Sequence, residues 1–225
     1  MARRITTVVF DVGETLVDET RHWGEWADWL SVPRLTFFAA LGVVIERRWH
    51  HRRVFDLVRP GLDVAAEQER RRAAGWAYRF EPGDFYPDAL PCLAALKAAG
   101  YRIGLAGNQP EDAETALAAA GLPADFVASS ARWGVEKPDP AFFAKVAEAA
   151  GAAPAQIAYV GDRLDNDVLP AKAAGMLAVF LRRGPWGMAH AGWPQATEAD
   201  VRLETLAALA EALVNNDPLT EGRAR

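Results

Sequence analysis

Apolar and polar positions along the chain follow two alternating rhythms. Residues 5 to 10, "ITTVVF", are β-branched and apolar without in-and-out alternation, as in a strand covered on both faces of a parallel sheet. "YRIGLA" (101 to 106), "IAYVGD" (157 to 162) and "LAVFLR" (177 to 182) repeat the pattern, and "DFVASS" (125 to 130) is a weaker fifth. Between them lie alanine-rich stretches with helical spacing at 88 to 99, 110 to 120, 139 to 150 and 166 to 174, several followed by the glycine that closes a helix. This alternation predicts an α/β fold, a Rossmann-like doubly wound parallel sheet.

The rhythm breaks between 14 and 86. No strand pattern occurs there, whereas helical patterns run over about 20 to 31, 34 to 58 and 62 to 79, punctuated by Pro33, Pro60, Gly61 and Pro82-Gly83. The expected organisation is a core domain of 1 to 13 and 87 to 225 with an all-helical cap, 14 to 86, inserted after the first strand. Such an insertion can close over the carboxyl ends of the strands, where open α/β sheets bind ligands. Trp23, Trp26 and Trp29 share one helix face and are expected to be cap core, and "RRWHHRRVFDLVR" (47 to 59) reads as a solvated face. The final "NNDPLTEGRAR" is polar and expected to fray.

Composition narrows the partners. The 225 residues are 51% apolar, enough for a substantial core. A net charge of -5 argues against a broad nucleic-acid-binding face. Cys92 is the only cysteine, so an internal disulfide is excluded and a reducing compartment expected. The apolar run in "MARRITTVVF" is too short for a signal peptide, and no segment approaches the roughly 18 to 20 apolar residues that span a bilayer. The expectation is a cytoplasmic protein away from membranes.

The predicted strands deliver a consistent set of groups at their carboxyl ends. Asp11 follows the first, Gly107 and Asn108 the second, in "GLAGNQP"; Lys137 comes from "GVEKPDP", and Asp162 and Asp167 from "VGDRLDND". An aspartate after an apolar strand is often only the start of a loop, and Lys-Pro often only a turn; the conjunction marks them, with Lys137 one of just four lysines. Converging carboxylates suit Mg²⁺, a hard ion that takes oxygen ligands and substrate phosphate. A lysine beside them stabilises charge on a carboxylate and on a transferring phosphoryl group, and an aspartate can itself be the nucleophile. Asn166 is expected to cap a helix, while Arg182 or Arg183, in "RRGPWG", is a weaker candidate for substrate contact at the crevice rim.

With "FDVGETL", "LAGN", "GVEKPDP" and "VGDRLDND" in this order, the chain resembles the haloacid dehalogenase superfamily of hydrolases, in the subgroup whose helical cap follows the first motif. The resemblance implies that Asp11 is the nucleophile and a Mg²⁺ ligand. It makes the Gly13 carbonyl and Asp162 further ligands, has Lys137 orient Asp11, and lets Asp167 act through water or a hydrogen bond. It implies hydrolysis of a small phosphorylated metabolite. Two departures stand out. Gly13 occupies the place of the aspartate that protonates the leaving group, a function worth roughly 10²- to 10⁴-fold, and Gly107 replaces a Ser or Thr that meets the phosphoryl oxygens, leaving its N–H and Asn108 as donors. Glu14 is a candidate substitute for the missing acid. The family's metal-free 2-haloacid dehalogenases also lack the second aspartate, but they keep no acid at the position of Asp162; a degenerate member that binds a metabolite without turnover is the other alternative.

Overall fold

Six short strands hydrogen-bond in parallel, and their order explains where the crevice must lie. In the computed structural model, which describes residues 5–76 and 78–215, they are β1 (Thr7–Phe10), β2 (Arg102–Gly107), β3 (Phe126–Ser129), β4 (Ile157–Gly161), β5 (Leu177–Leu181) and β6 (Val201–Leu203). They lie in the order β3-β2-β1-β4-β5-β6, so the winding reverses between β1 and β4, the switch point at which open α/β sheets bind ligands. Phe10 is in register with Leu105 of β2 and Val160 of β4, and the three strands therefore end side by side.

The absence of alternation in the strands follows from burial on both faces. Val8 and Phe10 pack on one side with Leu93, Leu96, Ile103, Leu105 and Val160. Val9 packs on the other with Phe142, Phe143, Val146 and Tyr159. Cys92, in helix Ala89–Ala98, is an inert core thiol, pushed up to about 12 by burial. β6 has no counterpart among the expected strands, because three residues with exposed Arg202 at the centre carry too little pattern to separate from a loop. The polar tail expected to fray lies, from residue 216 on, outside the described residues.

The chain divides into two compact units, Glu19–Arg79 on its own and the sheet unit on either side of it in sequence. Residues 14 to 18 and 80 to 86 belong with the sheet: Val17 bridges Gly13 and Phe85, and the Tyr86 N–H donates to the Leu16 carbonyl at 3.0 Å. The helical unit contains Thr20–Trp29, Arg34–Glu46, Arg53–Val58 and Val64–Ala73. The expected helix over 34 to 58 is thus two, parted within "ERRWHHRR", where Arg48 turns left-handed at φ 56°. Trp23 and Trp26 are buried, Trp26 with its ring 4.8 Å from that of Phe55, and Arg71 lies 4.1 Å over the Trp26 ring. Trp29 is half-buried and donates its indole N–H to Glu67 at 3.0 Å. Among the described residues no single helix is long and apolar enough to cross a membrane.

Gly104 in β2 lies beneath the Phe126 ring, where an added Cβ would come within 2.1 Å of it. Gly104→Ala should cost about 1–3 kcal/mol of stability, read as a lower urea midpoint; an unchanged midpoint would mean that Phe126 can swing aside.

Candidate active site

Because β1, β2 and β4 end together, the residues that follow them converge. The Asp11 N–H donates to the Val160 carbonyl at 2.9 Å, continuing the β1–β4 ladder for one residue before the chain turns away. Asp162 leaves β4 next to it. Asp167 sits in one turn of π-helix, Leu164–Val168, whose extra residue per turn is a feature often found at functional sites. The carboxylates of Asp11, Asp162 and Asp167 each place an oxygen within 4.8 Å of the others. Lys137 reaches this cluster from the loop before helix Pro140–Ala150, its Nζ 2.6 Å from Asp11 Oδ1 and 2.6 Å from Asp167 Oδ1.

Burial sets the electrostatics. Lys137, Asp162 and Asp167 are 3%, 1% and 0% exposed. Burial works against the Lys137 charge, but the Asp11 and Asp167 carboxylates outweigh it and hold the ammonium well above its ordinary range. At Asp162 burial leads, and the charges of Asp167, Asp11 and Glu14 add to it, pushing its carboxyl far up against the weaker pull of Arg163. Asp167 is raised to about 6, burial again leading and Lys137 opposing. Were all three acids ionised, Lys137 would balance one of three negative charges and leave two, which is why two of the carboxyls are held up.

The donor set fits a divalent cation. Asp162 Oδ2 is buried without a hydrogen-bond partner, a costly state for a carboxylate oxygen unless a cation compensates it. All the acidic ligand atoms are hard oxygens, which suit a small hard ion. Asp167 is the most committed of the three, since its second oxygen accepts from the Arg163 N–H at 3.0 Å.

Close packing explains two glycines at the strand ends. A Cβ at Gly161 would fall 2.5 Å from the Asp167 side chain, and one at Gly107 would fall 2.6 Å from Asp11 Oδ1, the oxygen that Lys137 holds. The Ser or Thr missing at position 107 is therefore coupled to the direction of the Asp11 carboxylate. Asn108 spends its amide on Lys137: Oδ1 accepts from the Lys137 N–H at 2.8 Å and Nδ2 donates to its carbonyl at 2.9 Å. Asn166 lies inside the π-turn, which begins after Arg163, and so is not at the cap position expected for it.

The loop after β1 turns tightly, the Val12 carbonyl accepting from Leu16 and Val17 at 2.9 and 3.0 Å. Glu14, next to Gly13, is left-handed at φ 55°. Glu14 is 5% exposed and its Oε2 accepts from the Tyr86 hydroxyl at 2.6 Å. Burial, reinforced by the Glu14 charge, pushes the Tyr86 hydroxyl up and keeps it a donor. Arg182 pairs with Glu204 at 3.1 Å; Arg183 donates to the Thr15 carbonyl at 3.0 Å, pairs with Asp88 and lies 4.2 Å over the Tyr86 ring. Tyr86, Asp88 and the inward role of Arg183 carry no motif in the sequence; only the chemistry-bearing residues between predicted elements hinted at them.

These burials have a thermodynamic signature. With their carboxyls raised, Asp162 and Asp167 hold protons in the folded protein that the unfolded chain has released, so their contribution to cation-free stability falls as pH rises, that of Asp167 between 3.8 and about 6. Asp162→Asn should then raise the melting temperature of the chelator-treated protein at neutral pH and abolish the rise that Mg²⁺ gives the wild type. A lower melting temperature in chelator, or an undiminished response to Mg²⁺, would contradict this picture.

A family model described as haloacid dehalogenase-like hydrolase matches residues 5–175. Among curated proteins, a glyceraldehyde 3-phosphate phosphatase of Methanopyrus kandleri is 37% identical over 154 residues, 64% of this chain and 64% of that protein. The match thus spans less than two thirds of that relative's length. Among solved structures, a phosphatase of the same superfamily from Thermococcus onnurineus is similar with a TM-score of 0.60 and 26% identity, over 93% of this chain and 98% of that one. A 2-haloacid dehalogenase from Pseudomonas syringae pv. Tomato shares the fold, with a TM-score of 0.58 and 23% identity over 94% and 99% of the two chains.

Proposed function

This chain belongs to the haloacid dehalogenase-like hydrolases, and from that premise we propose that it is a Mg²⁺-dependent phosphatase acting in the cytoplasm on a small phosphomonoester. The observation that carries the reading is the orphaned, buried Asp162 Oδ2 beside Asp11 and Asp167. A metal-free dehalogenase has no use for that acid, and its burial would be uncompensated cost. The helical unit, which spans the greater part of the expected cap 14 to 86, is the part we assign to substrate choice.

Asp11 is the nucleophile. Its carboxylate attacks phosphorus, the bond to the leaving oxygen breaks, and an aspartyl-phosphate forms; water then attacks phosphorus and returns Asp11 and inorganic phosphate. Lys137 directs the Asp11 carboxylate and offsets charge on the phosphoryl group as it transfers. The Gly107 N–H offers a donor to a phosphoryl oxygen, and Asn108 contributes through the Lys137 main chain. Asp11, Asp162, Asp167 and the Gly13 carbonyl are the groups that would hold Mg²⁺, which when bound neutralises phosphate charge. No side chain at Gly13 protonates the leaving group, so aryl and acyl phosphates, whose leaving groups need little protonation, should be preferred to alkyl phosphates.

The test is hydrolysis of an aryl phosphate and a panel of phosphorylated metabolites with and without Mg²⁺, beside chloride release from 2-haloacids. Turnover should require Mg²⁺ and vanish in Asp11→Asn; metal-free chloride release would transfer the chain to the dehalogenases, and metal binding without any turnover would make it a binding protein. Gly13→Asp should raise alkyl phosphate turnover more than aryl, by roughly tenfold or more. A folded variant with no gain on alkyl substrates would show that a missing proton carrier does not limit the rate.

A further inference from the structure

Two costs meet at Glu14, and the sheet requires neither. Its backbone at φ 55° lies in a region that any residue with a Cβ enters only under strain. Its carboxyl is buried, where a polar group must be held by partners. Strain of this kind persists only where the surroundings over-determine it, and it gathers at functional sites. At Glu14 the surroundings are specific. The Tyr86 hydroxyl donates to Oε2 at 2.6 Å, and the Gly184 backbone makes room for the carboxyl, since a Cβ there would lie 2.3 Å from Oε2. One residue further, the Thr15 carbonyl accepts from Arg183. Arg183 is in turn fixed over the Tyr86 ring and paired with Asp88, whose Oδ2 also accepts from the Thr205 hydroxyl at 2.5 Å and the Leu206 N–H at 2.9 Å. Residues 14 and 15 are thus gripped by the connections after β5 and β6 and by the stretch that enters helix Ala89–Ala98.

We infer that Tyr86, Glu14 and Arg183 are positioning residues that set the main chain from Val12 to Thr15, and through it the Gly13 carbonyl and the direction of Asp11. The loop's own main-chain hydrogen bonds close its turn, the Glu14 N–H donating to the Val17 carbonyl at 2.7 Å, and this grip ties that turn to the neighbouring connections. Glu14 serves in it as a hydrogen-bond acceptor turned to Tyr86 and Gly184, not as the proton carrier that Gly13 lacks. The inference rests on the phosphatase reading of the site only for its effect on rate; the grip itself is a property of the fold.

Hydrogen exchange and kinetics on Tyr86→Phe, Glu14→Ala, Glu14→Gln and the double variant Tyr86→Phe/Glu14→Ala test it. In Tyr86→Phe and Glu14→Ala, exchange of the Glu14, Leu16 and Val17 amides should quicken about tenfold while β1 and β4 stay protected. Turnover of an aryl phosphate should fall about tenfold with KM within about twofold, as expected of a loop slightly misplaced around intact binding groups. Glutamine keeps an acceptor for Tyr86, so Glu14→Gln should recover most of what Glu14→Ala loses. The double variant should be no slower than Glu14→Ala, because both remove one interaction. Unchanged loop exchange in Tyr86→Phe would overturn the inference, as would a Glu14→Gln protein as slow as Glu14→Ala or losses that add in the double variant. Should the wild type hydrolyse no phosphate while the exchange responds as stated, the phosphatase reading fails and the grip stands.

Discussion

One ammonium group organises the crevice. Lys137 Nζ lies 2.6 Å from carboxylates that arrive on two different connections, Asp11 after β1 and Asp167 after β4. Without it three buried acids would repel one another across less than 4.8 Å, and removing one partner of a buried charged group typically costs about 3–5 kcal/mol. Much of the surrounding structure serves this contact. The Asn108 amide clasps the Lys137 main chain on both sides, and Gly107 and Gly161 leave the space that Asp11 and Asp167 fill.

The same arrangement is incomplete as electrostatics. Lys137 neutralises one charge of three, and Asp162 keeps a buried oxygen without a partner. Stability is given up at this cluster, as it is at built sites generally. The departures at positions 13 and 107 fit into this balance differently. Gly13 withholds a side chain from the loop and leaves the acidic cluster untouched. Gly107 is tied to Asp11 itself, because any side chain there must displace the oxygen that Lys137 holds.

Much of the fold is legible in the sequence, for a physical reason: strands buried on both faces must be apolar throughout, and Val8, Val9 and Phe10 go to opposite cores in turn. β6 was not legible, since Arg202 splits a three-residue edge strand. The break near Arg48 was missed because helical spacing resumes at Arg53 with no glycine or proline between. Asp11, Lys137, Asp162 and Asp167 stand out as motif residues, and the fold brings their side chains together. Tyr86 and Asp88 do not stand out, and Arg183 stands out only as a candidate for substrate contact, because their importance lies in which connections they join, a long-range property that no local pattern carries. Asn108 stood out for substrate contact, yet its amide is turned to the Lys137 main chain.

The claim at the centre of this account is that Asp11 accepts a phosphoryl group in a cation-dependent step. Acid-quenching the protein during turnover of an aryl or acyl phosphate, then mapping the phosphoryl group by mass spectrometry of its peptides, tests it most directly. The account predicts one phosphoryl group on the peptide carrying Asp11 when Mg²⁺ is present and none in chelator. A phosphoryl group on another residue, or turnover that leaves Asp11 unlabelled under the same quench, would contradict it.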